Sequence, residues 1–342
     1  MLPTVGAATG TRGSGGELPP GGRPGFFEEA APASRPHSVR GAETVTGGEE
    51  RLHDFLGVPP APFETAGIAI LPVPFEATVS YGGGTARGPD AILRASSQVE
   101  LWDEQLETEP HRSGIWTAPP FRPPEGPVPR AVEAISRRIG ELLDAGKWPV
   151  MLGGEHSITP AGVMAAARAH GDLQIVQLDA HADLRDSYEG EPWSHACAMS
   201  RALEHAAGLR AIGIRSYSNE EADRIRRGIP GYSAIHAWEM DGEEWIDRAL
   251  DGLSGRAVYL TVDVDYFDPS VVPSTGTPEP GGPAWWPTLR FLDRLFRTAD
   301  VVAADVVELA PIDGLHHPDF AVARLVHKLI GLRALTRPGL PA

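Results

Sequence analysis

From about Ala66 onward, short apolar runs alternate with amphipathic stretches. The runs Gly67–Val73, Pro149–Leu152, Leu173–Leu178, Arg210–Ile214, Tyr232–Ile235, Ala257–Val262 and Val301–Val307 are apolar on both faces and β-branched, as buried parallel strands are. Helical patterns lie between them. The clearest is Pro129–Ala145, where Val132, Ile135, Ile139, Leu142 and Leu143 recur at helical spacing. Further helices are predicted at Pro160–Ala169, Ala196–Ala206, Glu220–Arg227, Trp286–Ala299 and Asp319–Leu335. Strand–helix alternation of this kind predicts an α/β fold, a mainly parallel sheet covered on both faces. Ligands of such sheets bind at the carboxyl ends of the strands, so the residues just after each run are where chemistry is expected.

The first 50 residues break the pattern. They hold 11 Gly and 6 Pro, against 39 and 33 in the whole chain of 342, and show no apolar period. Such a segment cannot bury enough surface to offset its ordering entropy. Residues 1–50 are therefore read as a disordered or loosely docked tail, and residues 51–342 as a single domain. With 46 acidic and 30 basic residues the net charge is −16, which argues against nucleic acid or an anionic membrane as partner. No stretch approaches the roughly 20 apolar residues of a membrane helix. The start MLPTVGAATGTRGSGG lacks the basic segment and apolar core of a secretory signal. The expectation is a cytoplasmic protein. The lone cysteine, Cys197, excludes an intrachain disulfide framework and a cysteine-built zinc or iron–sulfur site.

Three strand ends carry unusual polar clusters. Leu173–Leu178 runs into Asp179-Ala180-His181-Ala182-Asp183, where alternate side chains of an extended backbone share a face. Two carboxylates and an imidazole would converge there, a thiol-free set suited to Mn²⁺, Mg²⁺, Zn²⁺ or Ni²⁺. Ala257–Val262 runs into Asp263-Val264-Asp265, and two acids at the end of an apolar strand are costly unless paired or metal-bound. Pro149–Leu152 runs into Gly153-Gly154-Glu155-His156, whose glycines allow a tight turn that sets His156 at the sheet edge. Alone, His156 would read as a helix-entry residue. Together His156, Asp179, His181, Asp183, Asp263 and Asp265 are too many ligands for one catalytic metal with an open position. They suit two divalent ions about 3.5 Å apart that lower the pKa of a shared water.

The segments GGEHS (153–157), DAHAD (179–183), VDVDYFDPS (262–270) and PSTGTPEPGG (273–282) resemble the ureohydrolase superfamily of arginases and agmatinases. With its flanking segments the resemblance spans about residues 65–335. It implies a three-layer α/β/α sandwich around an eight-stranded parallel sheet. It also implies a binuclear manganese cluster, with nickel or cobalt as alternatives, and hydrolysis of a guanidine to urea plus an amine. On that pattern His156, Asp179, Asp183 and Asp263 bind one or both ions, and His181 and Asp265 complete the cluster. Glu308, in DVVELAP (305–311), matches the glutamate that pairs with the guanidinium. His195, in WSHACAM (193–199), matches the histidine that shuttles a proton to the leaving amine; its plainer reading is an exposed residue at a helix start. Cys197 reads as a packed small residue. The family also implies a homo-oligomer, trimer or hexamer.

The Asn- and Ser-bearing loop by which arginases read an amino-acid head group is not evident. LRDSYEGEPWSHA (184–196) stands there, and its Asp186, Glu189 and Glu191 favour a cationic tail. This loop, residues 81–103 and IGIRS (212–216) resemble the archaeal and thermophile type of agmatinase. Agmatine, a small cationic guanidino compound, is the leading substrate. N1-aminopropylagmatine, guanidinobutyrate, guanidinopropionate and free guanidine are the alternatives. Formimidoylglutamate would want a basic patch, against which the acidic loop counts. A metal-binding pseudoenzyme or assembly partner is the reading from a different class. Trp285 and Trp286 would either narrow the pocket or pack a helix start.

Overall fold

The computed structural model describes residues 53–337, so the tail expected over residues 1–50 lies outside the described residues. Eight strands occur among the described residues: β1 (Ile68–Val73), β2 (Ile115–Thr117), β3 (Trp148–Gly153), β4 (Gln174–Leu178), β5 (Gly208–Ile214), β6 (Tyr232–His236), β7 (Ala257–Asp263) and β8 (Asp300–Val307). They form one sheet in the order β2-β1-β3-β8-β7-β4-β5-β6, and every neighbouring pair is parallel. Seven of these strands match the apolar runs. The eighth, β2, is a three-residue edge strand, too short to show a period.

The helices are α1 (Gly88–Ser96), α2 (Val128–Asp144), α3 (Thr159–His170), α4 (Ala198–Ala202), α5 (Asn219–Arg227), α6 (Glu244–Leu250), α7 (Trp285–Thr298) and α8 (His317–Thr336). The periodicity did not announce α1 or α6, each only about two turns long. The helix expected over Ala196–Ala206 shrinks to α4, preceded by a 3₁₀ turn at His195–Cys197. Pro160 in the first turn of α3 suits a helix start, where its missing N–H costs nothing. At α5, Ser218 and Glu221 form a reciprocal capping box.

Strand pleating explains why the runs are apolar throughout. Ile68 and Ile70 of β1 pack in one core with residues of α1, α6, α7 and α8. Ala69, Leu71 and Val73 face a second core with α2 and α3. A third cluster joins β4, β5 and β7 to α3 and α4. The result is three layers, helix–sheet–helix, and polar residues inside the central strands need specific partners. One such place shapes a helix: a Cβ on Gly162 would lie 1.9 Å from the Tyr259 hydroxyl. Only a bare backbone there lets that hydroxyl donate to Asp305 at 2.7 Å. Among the described residues no helix is long and apolar enough to cross a membrane.

Candidate metal centre and active site

The residues singled out above follow four strands that are neighbours in the sheet: β3, β8, β7 and β4. After β3 the chain turns at Gly154, where an added Cβ would fall 1.9 Å from the Phe75 carbonyl. That close approach lets the Glu155 N–H donate to Phe75 at 3.0 Å and sends the buried His156 inward. Its Nδ1 lies 3.2 Å from Asp179, 3.0 Å from Asp183 and 3.3 Å from Asp263. The Nδ1 of His181 lies 2.9 Å from Asp265 and 3.7 Å from Asp179. Two donor groups result, His156–Asp179–Asp263 and Asp179–His181–Asp265, with donor atoms in each within 4.8 Å of one another. Asp179 belongs to both.

These residues fit a pair of cations. The Nδ1 of His156 is fully buried and has no hydrogen-bond partner, although three carboxylates face it. Its Nε2 is 3.0 Å from the Thr261 hydroxyl, and Thr261 sits in a buried network with Thr159 and Asp305. A histidine whose other ring nitrogen is engaged by a hydroxyl is held in the orientation a ligand needs. Asp183 adopts a left-handed backbone with φ 53°, and Glu308 one with φ 65°. Strain of this kind in non-glycine residues collects at functional sites.

The charges are held under tension. Burial, with Asp265 and Asp183 adding to it, pushes Asp179 up to about 7. Burial and the charges of Asp265 and Asp179 push Asp263 well above the carboxylate range. Burial opposes a charged His156, but the facing carboxylates of Asp179, Asp183 and Asp263 overcome it and raise its pKa well above the usual value. Burial likewise opposes a charged His181, and Asp265 overcomes it, lifting the ring to about 11. Asp265 stays low despite burial because His181 faces it. Burial, helped by Glu155, lifts Glu308 to about 8.

In the metal-free chain all the raised pKa values act in one direction on stability. The folded state holds protons that the unfolded chain has released, so stability falls as pH rises. For Asp179 the loss runs from its ordinary 3.8 to about 7, and for Glu308 from 4.5 to about 8. The His181 contribution is complete below 6.5 and is lost toward about 11. Asp265, lowered from 3.8, acts only in more acid solution. The expected result is a Tm in chelator that falls from about pH 6 to about pH 8. Divalent cations should flatten that slope, because ligands bind deprotonated. Scanning fluorimetry checks it; a Tm that rises over this range contradicts the assignment.

Glu308 follows β8 and is buried. One of its oxygens accepts the His156 N–H at 2.6 Å. A cavity of about 340 Å³ is lined by His156, His181, Asp183, Asp263, Asp265 and Glu308, and by His195 on its wall. Asp179 lies beneath, fully buried. All eight residues selected from sequence are therefore brought to one place. No sequence pattern announces what holds His195. Its N–H donates to the Thr78 hydroxyl at 3.0 Å, and its ring nitrogens lie 3.3 Å from Thr78 and 3.4 Å from Ser80. The Thr78 loop is fixed by the buried Glu155, which accepts the N–H groups of Ala77 and Thr78 and the Thr78 hydroxyl.

The acidic loop is placed differently from its sequence reading. None of Asp186, Glu189 and Glu191 lines the cavity. Asp186 pairs with Arg224 at 3.1 Å, and Glu191 accepts the Trp193 N–H at 2.8 Å. Tyr188 and Arg185 of that loop do line it, as do Tyr81, Tyr217 and Glu279. Trp285 and Trp286 begin α7 and lie outside the lining, with Trp285 stacked on Phe267 at 6.0 Å. Trp285 packs the helix start against the core, whereas Trp286 is exposed. Cys197 is buried, and burial with the nearby Asp183 pushes its thiol up to about 11, which suits a packing role.

The arginase family profile matches residues 66–331. The N(1)-aminopropylagmatine ureohydrolase of Synechocystis sp. is 41% identical over 277 residues, covering 79% of this chain and 90% of that protein. The agmatinase of Bacillus anthracis is 34% identical, covering 78% of this chain and 92% of its own length. The crystal structure of the agmatine ureohydrolase of Thermoplasma volcanium superposes with a TM-score of 0.71 at 32% identity, covering 80% of this chain and 91% of that one.

Proposed function

Since this chain belongs to the arginase family, we propose that it hydrolyses a small cationic guanidino compound to urea and an amine, with agmatine as the leading substrate and putrescine as the product. N1-aminopropylagmatine ranks beside it, because relatives bearing both names align over most of the chain. Guanidinobutyrate, guanidinopropionate and free guanidine are the remaining candidates. The observation that carries the reading is the pair of donor groups sharing Asp179, with Glu308 in the same cavity.

His156, Asp179, Asp183, Asp263, His181 and Asp265 would hold two divalent cations. Manganese is the proposed metal; nickel or cobalt would suit the same oxygen and nitrogen donors. When bound, such cations would lower the pKa of a coordinated water and so supply the nucleophile. The chain's own residues supply the rest. Glu308 accepts N–H groups of the guanidinium in a charge-assisted fork and so orients its carbon toward the donor cluster. The acidic wall favours a cation. His195, held by Thr78 and Ser80, carries a proton to the departing amine. The same reading includes a cytoplasmic homo-oligomer, trimer or hexamer, with residues 51–342 as its one catalytic domain.

The test is urea release by manganese-loaded protein from agmatine, aminopropylagmatine, arginine, guanidinobutyrate, guanidinopropionate and guanidine, repeated with nickel. Agmatine or its aminopropyl form is expected to lead. Preference for guanidinobutyrate or guanidine would keep the hydrolytic centre and overturn the cationic tail. No urea from any of them at full metal loading would favour a metal-binding pseudoenzyme.

A further inference from the structure

The cavity lining has a charge balance that tells against a monocation. Asp183, Asp263 and Asp265, with Asp179 beneath them, are the four carboxylates that two divalent cations would neutralise. Three further carboxylates line the space: Glu221, Glu279 and Glu308. Glu221 is already satisfied. It accepts N–H groups of Leu184 and Ser218 at 2.9 and 2.8 Å and lies 3.6 Å from Arg185, the one arginine in the lining. Glu308 faces the guanidinium on the reading above. That leaves Glu279 without a counter-charge of its own.

Glu279 is well placed to need one. Its side chain is 36% exposed and borders the cavity, and the ionisable group within 4 Å of it is the His181 ring, at 3.9 Å and already engaged by Asp265 at 2.9 Å. Glu308 stands beside His156, at one end of the donor cluster, and Glu279 beside His181, at the other. The Glu279 backbone is also fixed. Arg215 donates to the carbonyls of Glu279 at 2.8 Å and Pro280 at 3.2 Å, and the same guanidinium holds the carbonyl of Asp265 at 2.7 Å. A carboxylate on so tethered a backbone loses less freedom when it pairs with a ligand. Tyr188 and Tyr217 complete the wall, apolar surface for a short methylene chain.

We infer that Glu279 binds a second positive charge at the far end of the substrate, so that the site selects compounds with a guanidinium at one end and an amine at the other. This rests on the hydrolytic reading above and adds the residue that discriminates among its substrates. It replaces Asp186, Glu189 and Glu191 as the reader of the tail, since those lie outside the lining.

The experiment compares Glu279→Gln with the native chain, both manganese-loaded, on agmatine and on butylguanidine, which keeps the guanidinium and lacks the amine. Glu279→Gln should lower kcat/KM for agmatine about tenfold to 100-fold more than for butylguanidine, mainly through KM, as loss of ground-state binding does. Manganese content should be unchanged, and calorimetric binding of 1,4-diaminobutane should weaken in parallel. Equal losses on both substrates would mean that Glu279 acts on the centre through His181, and no loss on agmatine that it is idle; either overturns the inference alone. A native chain that releases urea from no guanidino compound overturns the hydrolytic reading and this inference with it.

Discussion

Asp263→Asn is expected to abolish urea release while leaving the metal-free fold at least as stable as the native one. The two effects have opposite signs because the carboxylate is a burden to the fold and a requirement for the cluster. Asp263 is 3% exposed, and burial with the charges of Asp265 and Asp179 makes its ionised form costly. An amide removes that cost and keeps an oxygen to accept the Asp265 N–H, now bonded at 2.9 Å. Without metal, the Tm of Asp263→Asn should therefore match or exceed the native value at pH 8, where the native penalty is largest. Cations remove the penalty only if they bind. Losing one of the three donors around His156 should cut metal content and the rise in Tm on loading. Activity falls further. Loss of one pre-placed electrostatic group costs about 100- to 1,000-fold. Here the acidification of a water that the cations would supply is lost as well. Metal analysis, fluorimetry and urea assay on one preparation decide it. Full metal content with near-native turnover would remove Asp263 from the ligand set.

What the sequence made legible follows from how each feature is encoded. The strands were readable because both faces of β3 and β7 are buried, so burial writes a continuous apolar run. β2 contributes three residues at an edge and writes nothing distinctive. The ligand candidates were readable because each acid or histidine interrupts or ends such a run, where its cost demands an explanation. The residues that orient them were not. Thr261 lies inside β7 and looks like an ordinary β-branched strand residue, and Asp305 breaks the β8 run without any pattern that ties it to His156. Their link to His156 exists only through pairing of β7 with β8 and packing of α3 across both. Loop acids misled for the same reason. Composition reports that Asp186, Glu189 and Glu191 are close in sequence to the site; it does not report that Asp186 turns to Arg224. Glu279, 14 residues after Asp265, reaches the cavity because Arg215 ties its loop back to the Asp265 strand end.

Glu308→Gln separates substrate orientation from metal binding, and its expected result is a chain that keeps its metals and loses about 100- to 1,000-fold in kcat/KM. Glu308 is not in either donor group, so the cluster should load as before. Glutamine has the same shape at a backbone of φ 65°, and its carbonyl oxygen can still accept the His156 N–H that Glu308 holds at 2.6 Å. What changes is the face toward the substrate. A carboxylate accepts two N–H groups in a fork, whereas the amide, with its oxygen spent on His156, turns an NH₂ toward a guanidinium that is all donors. The mismatch is greatest for the oriented cation that reacts, so kcat should fall with kcat/KM rather than KM rising alone. Metal-free stability moves the other way. Burial pushes Glu308 up to about 8, so removing the carboxyl should raise the Tm in chelator above that pH. Glu308→Gln with full activity would mean that the guanidinium is held elsewhere. Lost activity together with lost metal would mean that the substitution acts through His156.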